Sequence, residues 1–245
     1  MTTVNLVQLY PDELGVAGDR GNVMALTARL ERAGIEVSVS RHGAGDVLPD
    51  APDLVLVGNG PVSAIRNIYD DFQAHAERLR SFAVDGIPFF AYGAGAELLG
   101  EGITLIDGSL IAGIGILPFT AVRTDTRNVG YVLVESTVGQ IAGFEDNASV
   151  WRLAPGAEAF GALVTGNGNG DGKTEGVKAG DSIGTQVGGP VLPLNPALTD
   201  SLIRTVAKRK GFAYEPGAAH AELDRLAAGA RGVIVDNVKH VFSRI

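Results

Sequence analysis

The sequence predicts an α/β protein built on a flavodoxin-like open sheet with an antiparallel extension. Within the first 92 residues, apolar strands and amphipathic helices follow one another in the order βαββαβ, which is typical of open parallel sheets. One of these strands, at residues 53–58, is almost continuously apolar, as a strand buried on both faces requires. Beyond residue 100 the chain changes to short, glycine-separated strands, which we expect to extend the same sheet.

The parallel half begins with a strand at residues 4–10 and a helix at residues 21–33. Val23, Leu26 and Leu30 fall on one face of this helix, and Asp19 lies close enough to its start to cap it. The later elements of this half are a strand, the buried strand, a long helix and another buried strand, at residues 36–41, 53–58, 63–84 and 88–92. Open sheets of this kind place their sites at the carboxyl ends of the strands.

The second half is predicted to contain six short strands and two helices. The strands are expected at residues 103–106, 109–116, 129–136, 140–144, 161–166 and 182–187, and the helices at residues 197–210 and 218–230. The tail from residue 232 fits a helix or a strand. No linker, repeat or low-complexity tract interrupts the chain, so we expect one domain over residues 1–245.

Composition excludes several classes of function. The net charge of −8 lacks the basic footprint of a nucleic-acid-binding protein, and no apolar run is long enough to insert into a membrane. The first residues do not resemble a signal peptide, which makes a cytoplasmic location the default expectation. There is no cysteine, which excludes disulfides and cysteine catalysis. The four histidines show no ligand-like spacing, so neither a metal nor a cofactor is expected.

Residues 88–100 read Pro-Phe-Phe-Ala-Tyr-Gly-Ala-Gly-Ala-Glu-Leu-Leu-Gly. A buried strand that enters a tight glycine turn and then a helix is typical of a nucleophile elbow, which raises one side chain above the sheet. The tip of the turn is Tyr92-Gly93-Ala94, so no nucleophile stands there. A second loop, at residues 184–190, reads Gly-Thr-Gln-Val-Gly-Gly-Pro.

These two segments resemble those of class I glutamine amidotransferases of the cobyric acid synthase (CobB/CobQ) type. The GatD-type glutaminase subunit of lipid II isoglutaminyl synthase is especially similar, with a Cys-Gly-Gly-Tyr-Gln-Leu-Leu-Gly elbow and a Gly-Thr-Tyr-Leu-His-Gly-Pro loop. Further motifs match family landmarks in the same order, at residues 10–22, 113–118, 126–130, 143–145, 166–168 and 175–176. The resemblance therefore runs from about residue 4 to about residue 210.

The resemblance implies that both reactive side chains of the family are missing. Gly93 stands at the position of the nucleophilic cysteine and Gly188 at that of the catalytic histidine. Arg127 matches the family arginine that contacts the substrate, although an exposed arginine in a turn is an equal alternative. The loop of Gly58, Asn59 and Gly60 takes the place of the oxyanion loop, as a remodelled pocket or as a plain strand-to-helix turn.

Two neighbours of the elbow and one further loop have structural interpretations. We expect Tyr92 to point into the packing of the sheet, and Glu97 to be a solvated or capping group rather than a substitute nucleophile. Residues 167–172 resemble half of a calcium loop, but Lys178 occupies the position of the bidentate glutamate. A hairpin loop is therefore expected there.

Two functions remain open from the sequence. The first is a catalytically inactive pseudo-glutaminase that serves as a partner, a scaffold or a ligand-binding subunit. Resemblance implies that its partner is a Mur-ligase-like, ATP-dependent subunit that amidates lipid II in peptidoglycan synthesis, and that its ligand is glutamine or a related amino acid; cobalamin-pathway relatives share the fold. The alternative is an active amidotransferase with a rearranged site, which needs another nucleophile such as Ser63 or Ser149 beside a histidine.

Overall fold

The computed structural model describes residues 2–239 and 242–244. Its strands, in chain order, are β1 (Thr3–Leu9), β2 (Glu36–His42), β3 (Leu54–Val57), β4 (Phe89–Tyr92), β5 (Gly102–Thr104), β6 (Leu110–Ala112), β7 (Phe119–Ser136), β8 (Gly139–Leu153), β9 (Gly161–Thr165), β10 (Thr174–Glu175), β11 (Val177–Ala179), β12 (Ser182–Thr185) and β13 (Phe242–Arg244). Its α-helices are α1 (Arg20–Arg32), α2 (Val62–Ala74), α3 (Ala76–Val84), α4 (Ala94–Leu99), α5 (Val191–Leu194), α6 (Pro196–Lys210) and α7 (Ala221–Asn237).

The first sheet is the predicted open parallel sheet. Its six strands lie in the order β11-β12-β4-β3-β1-β2. All neighbours pair in parallel except β11 and β12, which are antiparallel and form the extension at one edge. The carboxyl ends of β3, β4 and β12 therefore meet at one edge of the sheet, where the loops that follow them come together.

Most of the later strands do not extend this sheet, contrary to the expectation from the sequence. A second sheet contains seven strands, with β7 at its centre and β5, β8, β9 and β13 all paired to it. The reason is the length of the β7–β8 hairpin. Its strands have 18 and 15 residues, so the hairpin offers long edges to which other strands can hydrogen-bond. Of the strands described beyond residue 100, only β11 and β12 join the first sheet.

Two helix predictions also need correction. The expected helix over residues 63–84 is divided at His75, which ends α2 and begins α3 without a glycine or proline to signal the break. Asp19 stands at the N-cap position of α1 but makes no side-chain capping bond. The tail continues as helix to Asn237 and then contributes β13, so both of its alternatives occur; residues 240 and 241 lie outside the described part.

Helices cover both faces of the first sheet and join it to the second. One apolar cluster packs α2 and α3 against the sheet and reaches Phe119 and Trp151 of the second sheet, whose rings lie 4.3 Å apart. Another packs α1 and α6 on the opposite face. Among the described residues, no helix has the length and apolar character that crossing a membrane requires.

Candidate functional site

The elbow has the backbone geometry that its sequence predicts. Gly93 follows β4 with φ 53° and ψ −120°, a backbone conformation that residues other than glycine rarely adopt, and α4 begins at the next residue. The Gly93 N–H donates to the Thr185 carbonyl (2.9 Å), and the Gly93 carbonyl accepts from Glu97 N–H (3.0 Å). The turn is therefore fixed from both sides, and a side chain at position 93 would project from its tip.

Asn59 occupies the space into which that side chain would project. A Cβ atom built on Gly93 would lie 2.4 Å from Asn59 Oδ1 and 2.6 Å from Asn59 Cγ. Asn59 Oδ1 also accepts a hydrogen bond from Ala94 N–H (2.9 Å), the donor that in an elbow faces a developing oxyanion. The N–H of Asn59 itself donates to Asp19 Oδ2 (3.2 Å). Two backbone donors at the site are thus already engaged.

Tyr92 fills the space beside Gly188 in the same way. A Cβ on Gly188 would lie 2.2 Å from Tyr92 Cζ and 2.4 Å from its hydroxyl oxygen, far inside van der Waals contact. Tyr92 is 4% exposed, but its ring reaches the Gly188 loop at the site instead of pointing into the packing of the sheet, contrary to the expectation. Burial raises its pKa above the usual tyrosine value. Gly188 exchanges two backbone hydrogen bonds with Phe144, which joins this loop to the second sheet. A side chain at position 188 therefore requires Tyr92 to move.

The loop of Gly58, Asn59 and Gly60 is both a strand-to-helix turn and a wall of the site. It connects β3 to α2, and its Gly58 carbonyl accepts from Gly95 N–H (3.0 Å). A Cβ on Gly58 would lie 2.0 Å from the Leu14 carbonyl oxygen, and one on Gly60 would lie 2.6 Å from the Glu13 carbonyl oxygen. Glycine is therefore needed here because the segment after β1 passes so close.

A small polar pocket of about 170 Å³ opens in front of these loops. Its lining consists of Val16, Asn59, Gly60, Pro61, Tyr92, Gly93, Ala94, Glu97, Arg123, Arg127, Asp146, Asn147, Ala148, Ser149 and Gln186. Pockets for drug-sized ligands typically have volumes of about 300 to 1,000 Å³, so this one suits a smaller polar molecule. Gly58 and Gly188 lie behind the surface of the pocket.

Arg127 lines this pocket but is already paired. Its Nε and Nη2 atoms donate to the two oxygens of Asp146 at 2.5 and 2.9 Å. The side chain is 56% exposed and lies where the β7–β8 register shifts between Arg123 and Asn128. A ligand carboxylate must compete with Asp146 or use the remaining N–H groups.

Glu97 is neither solvated nor a cap, contrary to the sequence interpretation. It is 2% exposed, accepts from Arg123 Nη2 at 2.5 Å and accepts from Trp151 Nε1 at 3.2 Å. Its carboxylate is therefore a structural anchor for β7 and β8. In the described part of the chain, Arg123 Nε and the Ser149 hydroxyl are buried at this wall without a hydrogen-bond partner.

Three further buried carboxylates hold the loops from behind. Burial raises the pKa of Asp19 to about 6, although the Asn59 backbone hydrogen bond opposes the shift. Glu145 accepts from the N–H groups of Asn167 and Gly168, and burial also raises its pKa. Glu175 accepts from the N–H of Gln186 and the hydroxyl of Thr185, and burial raises its pKa to about 7.

Several of the landmark motifs of the sequence contact one another in these loops. Gln186 Nε2 donates to the Gly168 carbonyl (2.8 Å), and Asn169 bonds both backbone groups of Gly176. A match to the CobB/CobQ-like glutamine amidotransferase domain covers residues 6–195, which contain all of these contacts. The chain belongs to this family. The motifs therefore identified the family correctly, and in the structure several of them hold loops together through hydrogen bonds.

Individual relatives agree with this assignment. The chain is 29% identical over 240 residues to the GatD subunit of a glutamine-hydrolysing lipid II isoglutaminyl synthase from Staphylococcus aureus (strain N315), with 96% of each chain covered. It is 28% identical over 212 residues to the GatD subunit from Streptococcus pneumoniae (strain ATCC BAA-255 / R6), with 84% and 82% covered. A solved glutamine amidotransferase superposes with TM-score 0.57 at 17% identity, covering 82% of this chain and 98% of the other, which supports the fold alone.

The structure also shows where the two candidate serine nucleophiles and the calcium-like loop lie. Ser63 is exposed and does not line the pocket, whereas Ser149 lines it without a histidine among the described lining residues. Residues 167–172 form the expected hairpin loop between β9 and β10, with Asp171 accepting from the N–H groups of Lys173 and Thr174. Asp19, Arg123 and Asp146 were not predicted as parts of the site; only Asp19 lies in a landmark motif that could have indicated it.

Proposed function

We propose that this chain is a non-hydrolysing glutaminase-fold subunit, which acts as a partner and amino-acid-binding scaffold. The observation that carries the proposal is that Asn59 and Tyr92 fill the space at Gly93 and Gly188. An enzyme that had merely lost two side chains would contain two cavities at these positions. Here the surrounding side chains are packed around glycine at both.

The chemistry of glutamine hydrolysis supports the same conclusion. The reaction needs a nucleophile for the carboxamide carbon, a base that later protonates the leaving ammonia, and donors for the oxyanion. The chain has no cysteine, and Ala94 N–H is bonded to Asn59. Loss of triad members alone removes factors of about a thousand or more from the rate. We therefore propose that glutamine is not hydrolysed at this site.

The proposed partner is a Mur-ligase-like, ATP-dependent subunit that forms a heterodimer with this chain in the cytoplasm. The support is that both curated relatives carry the name of a subunit of lipid II isoglutaminyl synthase, and that one aligns over nearly its whole length. We propose that this chain keeps the fold of such a subunit and serves peptidoglycan amidation without supplying ammonia itself.

The proposed ligand of the pocket is glutamine or a related amino acid. Arg127 offers a guanidinium beside a pocket of suitable size, whose lining also includes Arg123 and Ser149. A guanidinium binds carboxylates well because two parallel N–H groups match the two oxygens. Asp146 occupies that face in the free protein, so binding requires exchange of one carboxylate for another.

Two measurements on the purified chain test this proposal. Ammonia release from isotope-labelled glutamine should stay at the blank, with and without a Mur-ligase-like subunit. Calorimetry should detect binding of glutamine or glutamate that Arg127→Ala removes and Arg152→Ala, an exposed arginine on the neighbouring strand, leaves unchanged. Hydrolysis that Ser149→Ala abolishes would instead establish the rearranged-nucleophile alternative.

A further inference from the structure

A second polar cluster lies away from the candidate site, at the carboxyl end of β2. His42 is the last residue of β2, Asp71 lies in the final turn of α2, and His75 joins α2 to α3. Asp71 Oδ2 lies 3.8 Å from His42 Nε2 and 3.9 Å from His75 Nε2. One ligand atom from each of the three residues lies within 4.8 Å of the others. The chain spacing of the histidines hides this cluster, because the fold alone brings residues 42 and 75 together.

His42 is the unusual member of the cluster. It is 2% exposed, and neither of its ring nitrogens has a hydrogen-bond partner among the described residues. A buried imidazole without partners costs free energy, and a neutral imidazole is the form that binds metals. The ring is therefore costly as it stands and suited to act as a ligand.

Asp71 is held in place by groups that do not compete for the same role. Its Oδ2 accepts from the Tyr10 hydroxyl at 2.7 Å, and its Oδ1 accepts from Gly45 N–H at 2.8 Å. Metal-binding carboxylates are usually oriented by hydrogen bonds of this kind from the surrounding shell, and each oxygen keeps a lone pair for a cation. The Asp71 side chain is 22% exposed and that of His75 24%, which provides an entry path.

We propose that His42, Asp71 and His75 bind one divalent transition-metal ion, Zn²⁺ or a cation of similar ligand preference. Two imidazoles and one carboxylate are a ligand set typical of zinc, whereas Ca²⁺ and Mg²⁺ prefer oxygen ligands. Metal–ligand bonds of about 2.0–2.1 Å in a tetrahedron place neighbouring ligand atoms about 3.3 Å apart. The two carboxylate–imidazole distances thus need to shorten by about half an ångström, and water supplies the fourth ligand.

The site has a structural connection to the pocket through Tyr10. The backbone N–H of Tyr10 donates to the His42 carbonyl at 2.6 Å, while its hydroxyl holds Asp71. Tyr10 has φ 48°, which is uncommon for a residue other than glycine. It begins the segment that brings Val16 to the pocket and Asp19 to the Asn59 N–H. A metal ion bound here fastens the base of that segment to α2.

Metal titration of the full chain tests this proposal. The protein is produced without a histidine tag, treated with a chelator and titrated with Zn²⁺ in competition with a chromophoric chelator. Co²⁺ is added in a parallel titration for its visible d–d spectrum. We expect one ion per chain and a tetrahedral Co²⁺ spectrum. His75→Gln and Asp71→Asn should each weaken Zn²⁺ binding at least about tenfold, whereas Asp70→Asn, on the exposed neighbour in α2, should not change it.

Imidazole ¹⁵N NMR provides a readout that does not depend on a variant. Zn²⁺ should shift the ring signals of His42 and His75 and leave those of His220, which bonds the Arg29 carbonyl and Gly217 N–H, unchanged. Circular dichroism confirms that each variant folds. Absence of stoichiometric binding to the wild-type chain, or affinity in Asp71→Asn and His75→Gln equal to that of Asp70→Asn, would overturn the proposal.

Discussion

Behind the candidate site, buried carboxylates hold the loops through backbone hydrogen bonds, whereas on its open face two side chains occupy the space beside glycines. Glu145 and Glu175 represent the first region, and Asn59 and Tyr92 the second. Burying a carboxylate costs free energy unless hydrogen bonds compensate it. The backbone N–H groups of the loops supply these bonds, so these framework carboxylates and the loops stabilise one another. The two regions therefore differ in what glycine and carboxylate do: the carboxylates hold the loops, while Asn59 and Tyr92 occupy the space beside Gly93 and Gly188.

Removing one framework carboxylate should have the largest effect on stability. Glu145→Ala leaves the N–H groups of Asn167 and Gly168 without their acceptor, at about 1–3 kcal/mol each. We expect the free energy of unfolding to fall by about 4 kcal/mol in urea denaturation. Glu135→Ala, on an exposed position of the same hairpin, should change it by less than about 0.5 kcal/mol. Equal effects of the two substitutions would contradict the framework role.

Glu175 should make stability depend on pH. Its pKa is raised to about 7 from 4.5, so the folded state retains a proton that the unfolded state loses in this range. This contribution is complete below pH 4.5 and is lost as the pH rises through about 7, on the order of 3 kcal/mol in total. Asp19, raised to about 6, acts in the same direction.

Glu175→Gln isolates the share of this one group. The amide mimics the protonated acid, so the variant should lose less stability than the wild-type chain between pH 4.5 and pH 8. Urea unfolding across that range measures both slopes. Identical slopes would show that Glu175 titrates normally in the folded state.

Adding one methyl group at Gly188 tests the open face. Gly188→Ala places a Cβ against the Tyr92 ring and should cost about 2 kcal/mol by overpacking. In a Tyr92→Ala background the same substitution should cost almost nothing, so the double-mutant cycle reports the contact itself. Gly229→Ala, in α7 with no atom within 4 Å of the added Cβ, should stabilise by up to about 1 kcal/mol. If the effects of Gly188→Ala and Tyr92→Ala on the free energy of unfolding are additive, Tyr92 does not fill the space beside Gly188.

The smallest effect on stability is expected at Asp146. Asp146→Asn weakens an exposed ion pair with Arg127 and should cost less than about 1 kcal/mol. It also frees the guanidinium, so calorimetric affinity for glutamate should rise several-fold over that of the wild-type chain. Unchanged or weaker binding would separate Arg127 from ligand recognition.

The parallel half of the fold was predictable because periodicity and burial agree there. The continuous apolar strand β3 and the elbow at Gly93 were both predicted close to their observed positions. The second sheet was not, because β7 extends through the polar stretch of Arg123 to Arg127, which reads as a turn. Pairing with β8 imposes strand structure on residues whose own pattern does not favour it.

The site was predictable in outline and not in packing. The order of the motifs located Gly93, Gly188 and Arg127. No sequence pattern shows that Asn59 fills the space beside Gly93 or that Tyr92 fills the space beside Gly188. The burial of Glu97 follows from Arg123 and Trp151, which lie on the paired strands β7 and β8 and are 26 and 54 residues away from it in the chain. Contacts between residues far apart in the chain require the fold before they can be inferred.

Hydrolysis of isotope-labelled glutamine by three proteins shows whether Asn59 and Tyr92 block the reaction at Gly93 and Gly188. These are the wild-type chain, Gly93→Cys/Gly188→His, and a fourfold variant that adds Asn59→Gly and Tyr92→Ala to clear both positions. We expect ammonia release at the blank for the first two and above the blank for the third, with near-ultraviolet circular dichroism confirming that all three are folded. Release by the wild-type chain, or equal release by the twofold and fourfold variants, would contradict this expectation.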